Sequence, residues 1–186
     1  MAGLRSKIIA LSLLLPSVIA LGAVQAEESF SPFVAADGTI SLPEDFRSWA
    51  HLGTWSVDSD EEEGGSAGYH QVYTQPETIE AYRRTGRFPD GAVLVKELLS
   101  TATADMTTGR ISRAAKTDGW FVMIKDGEGR FAGNPLWGDG WGWALFESDK
   151  PNATVTTDYR ADCLGCHVPA QANDWVYVEG YPVLRD

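Results

Sequence analysis

The chain has 186 residues, 44% of them hydrophobic, and its 26 acidic side chains against 15 basic ones give a formal charge of −11. An acidic chain with no basic stripe repels phosphate backbones, which argues against nucleic acid as a partner. Both of its cysteines, Cys163 and Cys166, fall in one short tract near the end.

Residues 1–26 read as a secretory signal peptide. Arg5 and Lys7 make a positive start, Ile8 to Ala23 is apolar, and Val24-Gln25-Ala26 is a small-residue cleavage site. A retained membrane anchor is the rival, but Pro16 and the short run oppose it, because a span needs about 20 apolar residues. The expected location is the periplasm, and residues 27–186 are expected to form one domain with no membrane span.

A helix is predicted from Glu44 to His51. Asp58-Ser-Asp-Glu-Glu-Glu-Gly-Gly65 lacks the ligand spacing of an EF-hand loop and reads as a solvated loop. Gly68 to Thr74 has strand character. Gln75 to Gly86 reads as a helix: Pro76 suits the first turn, Glu77 and Glu80 the N-terminal dipole, Arg83 and Arg84 the other end, and Gly86 the stop. Gly91–Ser100, Gly119–Lys125, Trp141–Glu147 and Trp175–Val178 carry strand formers, and Asp126-Gly-Glu-Gly129 is a turn. The sum is an α+β fold, mostly antiparallel β-sheet with a few helices, ending in a helix that carries Cys163-Leu-Gly-Cys166-His167.

Four chemistries compete for that motif. A disulfide between residues three apart closes a small, strained ring. A thioredoxin-like pair needs a βαβ setting, and none surrounds it. Zinc would need His51 or His70 to complete its set. Covalent haem c needs this pattern: two thiols on one helical turn reach two vinyl groups, and the next residue is an imidazole for the iron. No Met or His follows His167, so a sixth ligand would have to come from His51, His70, Met106 or Met123. The bland role for either methionine is core packing. An iron with one open side suits small-molecule binding or catalysis.

Within Ala92-Val-Leu-Val-Lys96-Glu97-Leu-Leu99, strand alternation sets Lys96 beside Leu94 and Leu98, and Glu97 beside Val95 and Leu99. One of the two charges is therefore expected to face something buried. The plain alternative is a lysine that snorkels or pairs at a sheet edge. In Asn134-Pro-Leu-Trp-Gly-Asp-Gly-Trp-Gly-Trp143 the glycine-spaced tryptophans suit a haem wall, a dimer surface or ordinary core.

Over most of its length the chain resembles the cytochrome P-460 family of periplasmic c-haem proteins and its β-sheet relatives, cytochrome c′-beta. The resemblance rests on Phe46-Arg-Ser-Trp49 with Gly53-Thr54, on Val72-Tyr73 and Pro76-Glu77 before Tyr82, on Thr85 through Leu98, on the haem motif and on Tyr181-Pro-Val-Leu184. It implies a single haem c on Cys163 and Cys166, His167 as proximal ligand, and Lys96 bonded to the porphyrin ring. It also implies a homodimer, oxidation of hydroxylamine, nitric oxide chemistry and a soluble electron acceptor. Asp158 is the first candidate for the family's distal carboxylate, with a helix cap as its alternative. His70 departs from the arginine expected in relatives, which makes it a candidate distal base or second iron ligand. Phe88 is a candidate cap on the distal face, as in relatives with little activity. A gas-binding protein for nitric oxide or carbon monoxide, and an electron-transfer cytochrome, are the alternatives.

Overall fold

In the computed structural model, which describes residues 30–58 and 66–185, the chain builds one antiparallel sheet. The expected signal peptide and most of the acidic run lie outside the described residues. The strands are β1 (Ala50–Asp58), β2 (Ser66–Thr74), β3 (Val93–Met106), β4 (Gly109–Lys125), β5 (Trp137–Gly138) and β6 (Trp141–Glu147), in the spatial order β1-β2-β3-β4-β6-β5. The mostly antiparallel α+β class is as the sequence implied. Among the described residues no helix is long and apolar enough to cross a membrane.

Both faces of the sheet are covered. Val93, Val95, Trp120, Val122, Ile124 and Phe146 pack on one side with Val34, Ile40 and Phe46 from the N-terminal segment. The opposite face, through Leu52, Val72, Leu94, Met123, Trp141 and Trp143, meets Tyr159, Cys163, Trp175 and Tyr181 from the C-terminal segment. Strand alternation sorts the residues of β3 between these two cores.

Helix α1 (Pro76–Thr85) follows the sequence signals. Pro76 opens it, and Gly86 closes it at φ 68° with its N–H donating to the Tyr82 carbonyl at 2.7 Å. Ile79 and Tyr82 pack onto the C-terminal core, and Arg83 Nε donates to the Val183 carbonyl at 2.8 Å. The helix thereby holds the chain end against the sheet.

The haem motif sits on two short helical turns rather than one helix. These are α2 (Tyr159–Asp162) and α3 (Leu164–His167), joined at Cys163 with φ −126°, and a 3-10 segment, Val168–Asn173, continues them.

Three expectations need correction. Glu44–His51 is not a helix: one 3-10 turn, Phe46–Ser48, buries Phe46, and β1 begins at Ala50 so that Leu52 can enter the core. Trp175–Val178 is not a strand. Its ladder is replaced by a bend in which Trp175 and Val176 bury their side chains separately, and a 3-10 turn starts at Val178. The strands read at Gly91–Ser100 and Gly119–Lys125 extend into a long hairpin, closing at Met106↔Gly109, whose polar outer half has no core to impose an alternating pattern.

Candidate haem site

Cys163, Cys166, His167, Lys96 and His70 all line one cavity of about 220 Å3 between the sheet and the C-terminal segment. The floor is the sheet face: Val72 and His70 on β2, Leu94 and Lys96 on β3, Phe121 and Met123 on β4, Trp143 on β6. Register explains the convergence. Lys96 pairs with Val72 on one side and Phe121 on the other, so β3 is a central strand and Lys96 has no sheet edge to snorkel from. The roof is α2, α3, Tyr177 and Tyr181, and Trp55 of β1 reaches the same space.

Lys96 projects into apolar surroundings, with its Nζ 4.4 Å above the Phe121 ring. Burial holds its amine below the ordinary lysine value, against an opposite pull from the two cysteine thiols. Among the described residues it makes no ion pair with a carboxylate. Its neighbour Glu97 faces the other core, only 3% exposed, bonded to the Arg47 guanidinium and to Thr117 Oγ1 at 2.9 Å. Both charges of the pair therefore point inward, one on each face, with Glu97 buried and Lys96 half-buried at the cavity, where the sequence pattern promised only one.

His167 has a fixed tautomer. Its Nδ1 lies 2.7 Å from the Trp175 carbonyl oxygen, which can only accept, so Nδ1 carries the hydrogen and Nε2 the lone pair. Burial keeps the ring's pKa below the ordinary imidazole value. Trp143 meets the ring edge-on at 4.9 Å and stacks on Tyr159 at 6.0 Å; Tyr177 donates its hydroxyl hydrogen to the Cys166 carbonyl. Cys163 is buried and its thiol is pushed up to about 11, whereas Cys166 is exposed.

This donor set fits a haem. Two thiols, an imidazole with a free Nε2 and an apolar floor share one space. The structure does not support zinc with His51, which lies on the other face against Tyr73 and hydrogen-bonds Thr54 Oγ1. Among the described residues no cluster of three or more His, Cys, Asp and Glu side chains is set to hold a metal ion.

A comparison with family models matches residues 43–178 to Cytochrome P460. The chain belongs to the cytochrome P460 family. It is a haem c cytochrome, and the match spans every cavity residue named above except Tyr181. No curated protein matches the chain.

Other candidates fare differently. Asp158 does not line the cavity: it is half-buried, caps α2 and accepts the Arg160 N–H at 2.9 Å. Asp162 does reach the cavity, and its Oδ2 accepts from the Thr157 and Asp158 N–H groups. Phe88 is buried one layer away, between Tyr82 and Trp141, so it caps nothing in the cavity. Met106 is 60% exposed on the hairpin, which leaves His70 and Met123 as the only proposed sixth ligands that line the site. His70 stands two residues along β2 from Val72, and its pKa is lowered by burial and then by the Lys96 charge. The tryptophan tract divides. Trp143 faces the cavity, Trp141 lies beneath it, and Trp137 belongs to the far core, its ring filling the space a side chain at Gly142 would need. Sequence reasoning missed Trp55, Tyr177 and Tyr181, because nothing local marks an aromatic as a wall.

Proposed function

We propose that this chain is a periplasmic oxidoreductase that oxidises hydroxylamine and handles nitric oxide at one haem. That haem is carried covalently on Cys163 and Cys166, with His167 as the proximal iron ligand and Lys96 bonded to the porphyrin ring. One observation carries the reading: the Lys96 amine shares a cavity with both cysteines and His167, and among the described residues it has no carboxylate counter-ion there. Only a neutral amine can form such a bond, and burial shifts the amine towards that form.

The haem iron supplies, when bound, the site for the substrate nitrogen and the uptake of its electrons. The chain's own groups do the remainder. His167 offers Nε2 because its Nδ1 hydrogen is committed to Trp175. Conversion of hydroxylamine to nitric oxide releases three protons with three electrons. His70, its pKa lowered first by burial, is a cavity group able to take a proton. The electrons pass to a soluble acceptor. The leader read in residues 1–26 supports export.

The test is to express the chain in a host that attaches haem, digest the coloured protein and weigh the haem peptides. A haem joined to two peptides, one holding Lys96 and the other both Cys163 and Cys166, is expected, with a strongly red-shifted Soret band in the ferrous state. Recovery of the Lys96 peptide unmodified removes the ring bond. His70→Gln should slow hydroxylamine turnover, and an unchanged rate takes His70 out of the proton path. A second reading, an electron-transfer cytochrome, is favoured by Met123 and His70 reaching the same cavity. It requires sharp low-spin bands that ignore weak ligands.

A further inference from the structure

The carbonyl that holds His167 is aimed by an unusual piece of backbone. Asp174 and Trp175 are consecutive, and both have positive φ, 59° and 66°. Aspartate visits that region readily, but a bulky side chain rarely does. Such a pair persists only where its surroundings over-determine it.

Those surroundings come from one corner of the sheet. Lys125, the last residue of β4, puts its Nζ 2.7 Å from Asp174 Oδ1, with the two side chains 14% and 20% exposed. Trp141, the first residue of β6 and the register partner of Lys125, is fully buried. Its Nε1–H donates to the Asp174 carbonyl at 3.0 Å and to Oδ1 at 3.3 Å. The Lys125 ammonium also sits 4.9 Å from the centre of the Trp141 ring. The Trp175 N–H, next in the chain, donates to Ala170 at 3.0 Å, and the Trp175 carbonyl then meets His167. Neither Lys125 nor Asp174 lines the cavity.

We propose that the Lys125–Asp174 ion pair, seated on Trp141, is a positioning device: it holds the Trp175 carbonyl on His167 Nδ1 and thereby sets how strongly Nε2 donates to the haem iron. This rests on His167 being the proximal ligand. A carbonyl that accepts from Nδ1–H orients an imidazole and makes Nε2 the stronger base, and such outer hydrogen bonds are among the levers a protein has on haem potential. The ion pair grips the Asp174 side chain while Trp141 grips the Asp174 carbonyl, so the residue immediately before the accepting carbonyl is held at both its side chain and its backbone.

The experiment uses the holoprotein, with Lys125→Met and Asp174→Gly as disrupting variants and Lys125→Arg as the conservative one. Glycine adopts positive φ freely, so Asp174→Gly removes the carboxylate without adding backbone strain. The readouts are the iron–histidine stretching band of the ferrous protein, by resonance Raman, and the midpoint potential. Both disrupting variants should lower the stretching frequency and raise the potential, while Lys125→Arg stays near the parent. If both variants lose thermal stability but leave band and potential where they were, the pair is a fastener and the proposal falls alone. If the parent holoprotein is high-spin and five-coordinate in the ferrous state yet shows no iron–histidine band, the axial-ligand reading falls and takes this one with it.

Discussion

Trp143 joins the sheet to the haem motif, and its removal makes a quantitative test. Its side chain is 1% exposed, stacks on Tyr159, meets His167 edge-on at 4.9 Å and donates its indole hydrogen to the Gly138 carbonyl at 3.1 Å. An aromatic side chain of this kind buries about 150–250 Å2. At about 25 cal/mol per Å2 that is roughly 4–6 kcal/mol, and a compact unfolded state lowers it to about 3–5 kcal/mol. Measured costs of large aromatic-to-alanine changes in cores fall in the same range of about 3–5 kcal/mol. Trp143→Ala should therefore remove about 3–5 kcal/mol from the haem-free protein, much of the 5–15 kcal/mol typical of a domain. Trp143→Phe keeps most of the apolar area but strands the Gly138 carbonyl, at a cost of about 1–3 kcal/mol. Urea unfolding followed by circular dichroism gives both values. A Trp143→Ala cost below about 1 kcal/mol would mean the ring is not packed between sheet and motif, and the account of how His167 is walled in would be wrong.

Three further outcomes are expected. In the haem-free protein Cys166 should alkylate well before Cys163, whose shift from 9.0 to about 11 cuts its thiolate fraction about a hundredfold; equal rates by mass spectrometry would contradict the burial of Cys163. Arg47→Met leaves Glu97 enclosed with Thr117 as its remaining side-chain partner, and should cost about 1–3 kcal/mol in urea unfolding, below the buried-pair range because Arg47 is 54% exposed; a neutral result would show that Glu97 does not depend on the pair. His70 and His167 both have folded pKa values below the ordinary 6.5, so the folded state binds fewer protons than the unfolded one. Their contribution is present above pH 6.5 and is lost as pH falls through the depressed folded values, so the haem-free protein's urea midpoint should drop from pH 7 towards pH 5. His70→Gln should flatten that slope, and an unchanged slope would place His70 in contact with water.

Local chemistry carried much of this protein in the sequence itself. Cys163, Cys166 and His167 are adjacent, so their cooperation needs no fold to bring them together. Helix α1 was legible because its start, dipole charges and glycine stop are all local signals. The strands with a buried face were legible as well, because burial writes apolar residues into them. Lys96 and Glu97 were visible as charges in an apolar run, but an alternating pattern says only that they face opposite ways. That both point inward follows from β3 being a central strand with a core on each side. Tertiary structure alone decided which polar groups share the cavity. Asp158 precedes the motif closely and is turned outward as a cap, while His70, far away in sequence, is brought to the same floor by the β2–β3 register. The bend at Asp174 and Trp175 was hidden for a related reason: Trp175-Val-Tyr-Val178 carries strand formers, and only contacts with Lys125, Trp141 and His167 hold the turn at its start. A sequence records the preferences of neighbouring residues, and here distant partners outweigh those preferences where the site is built.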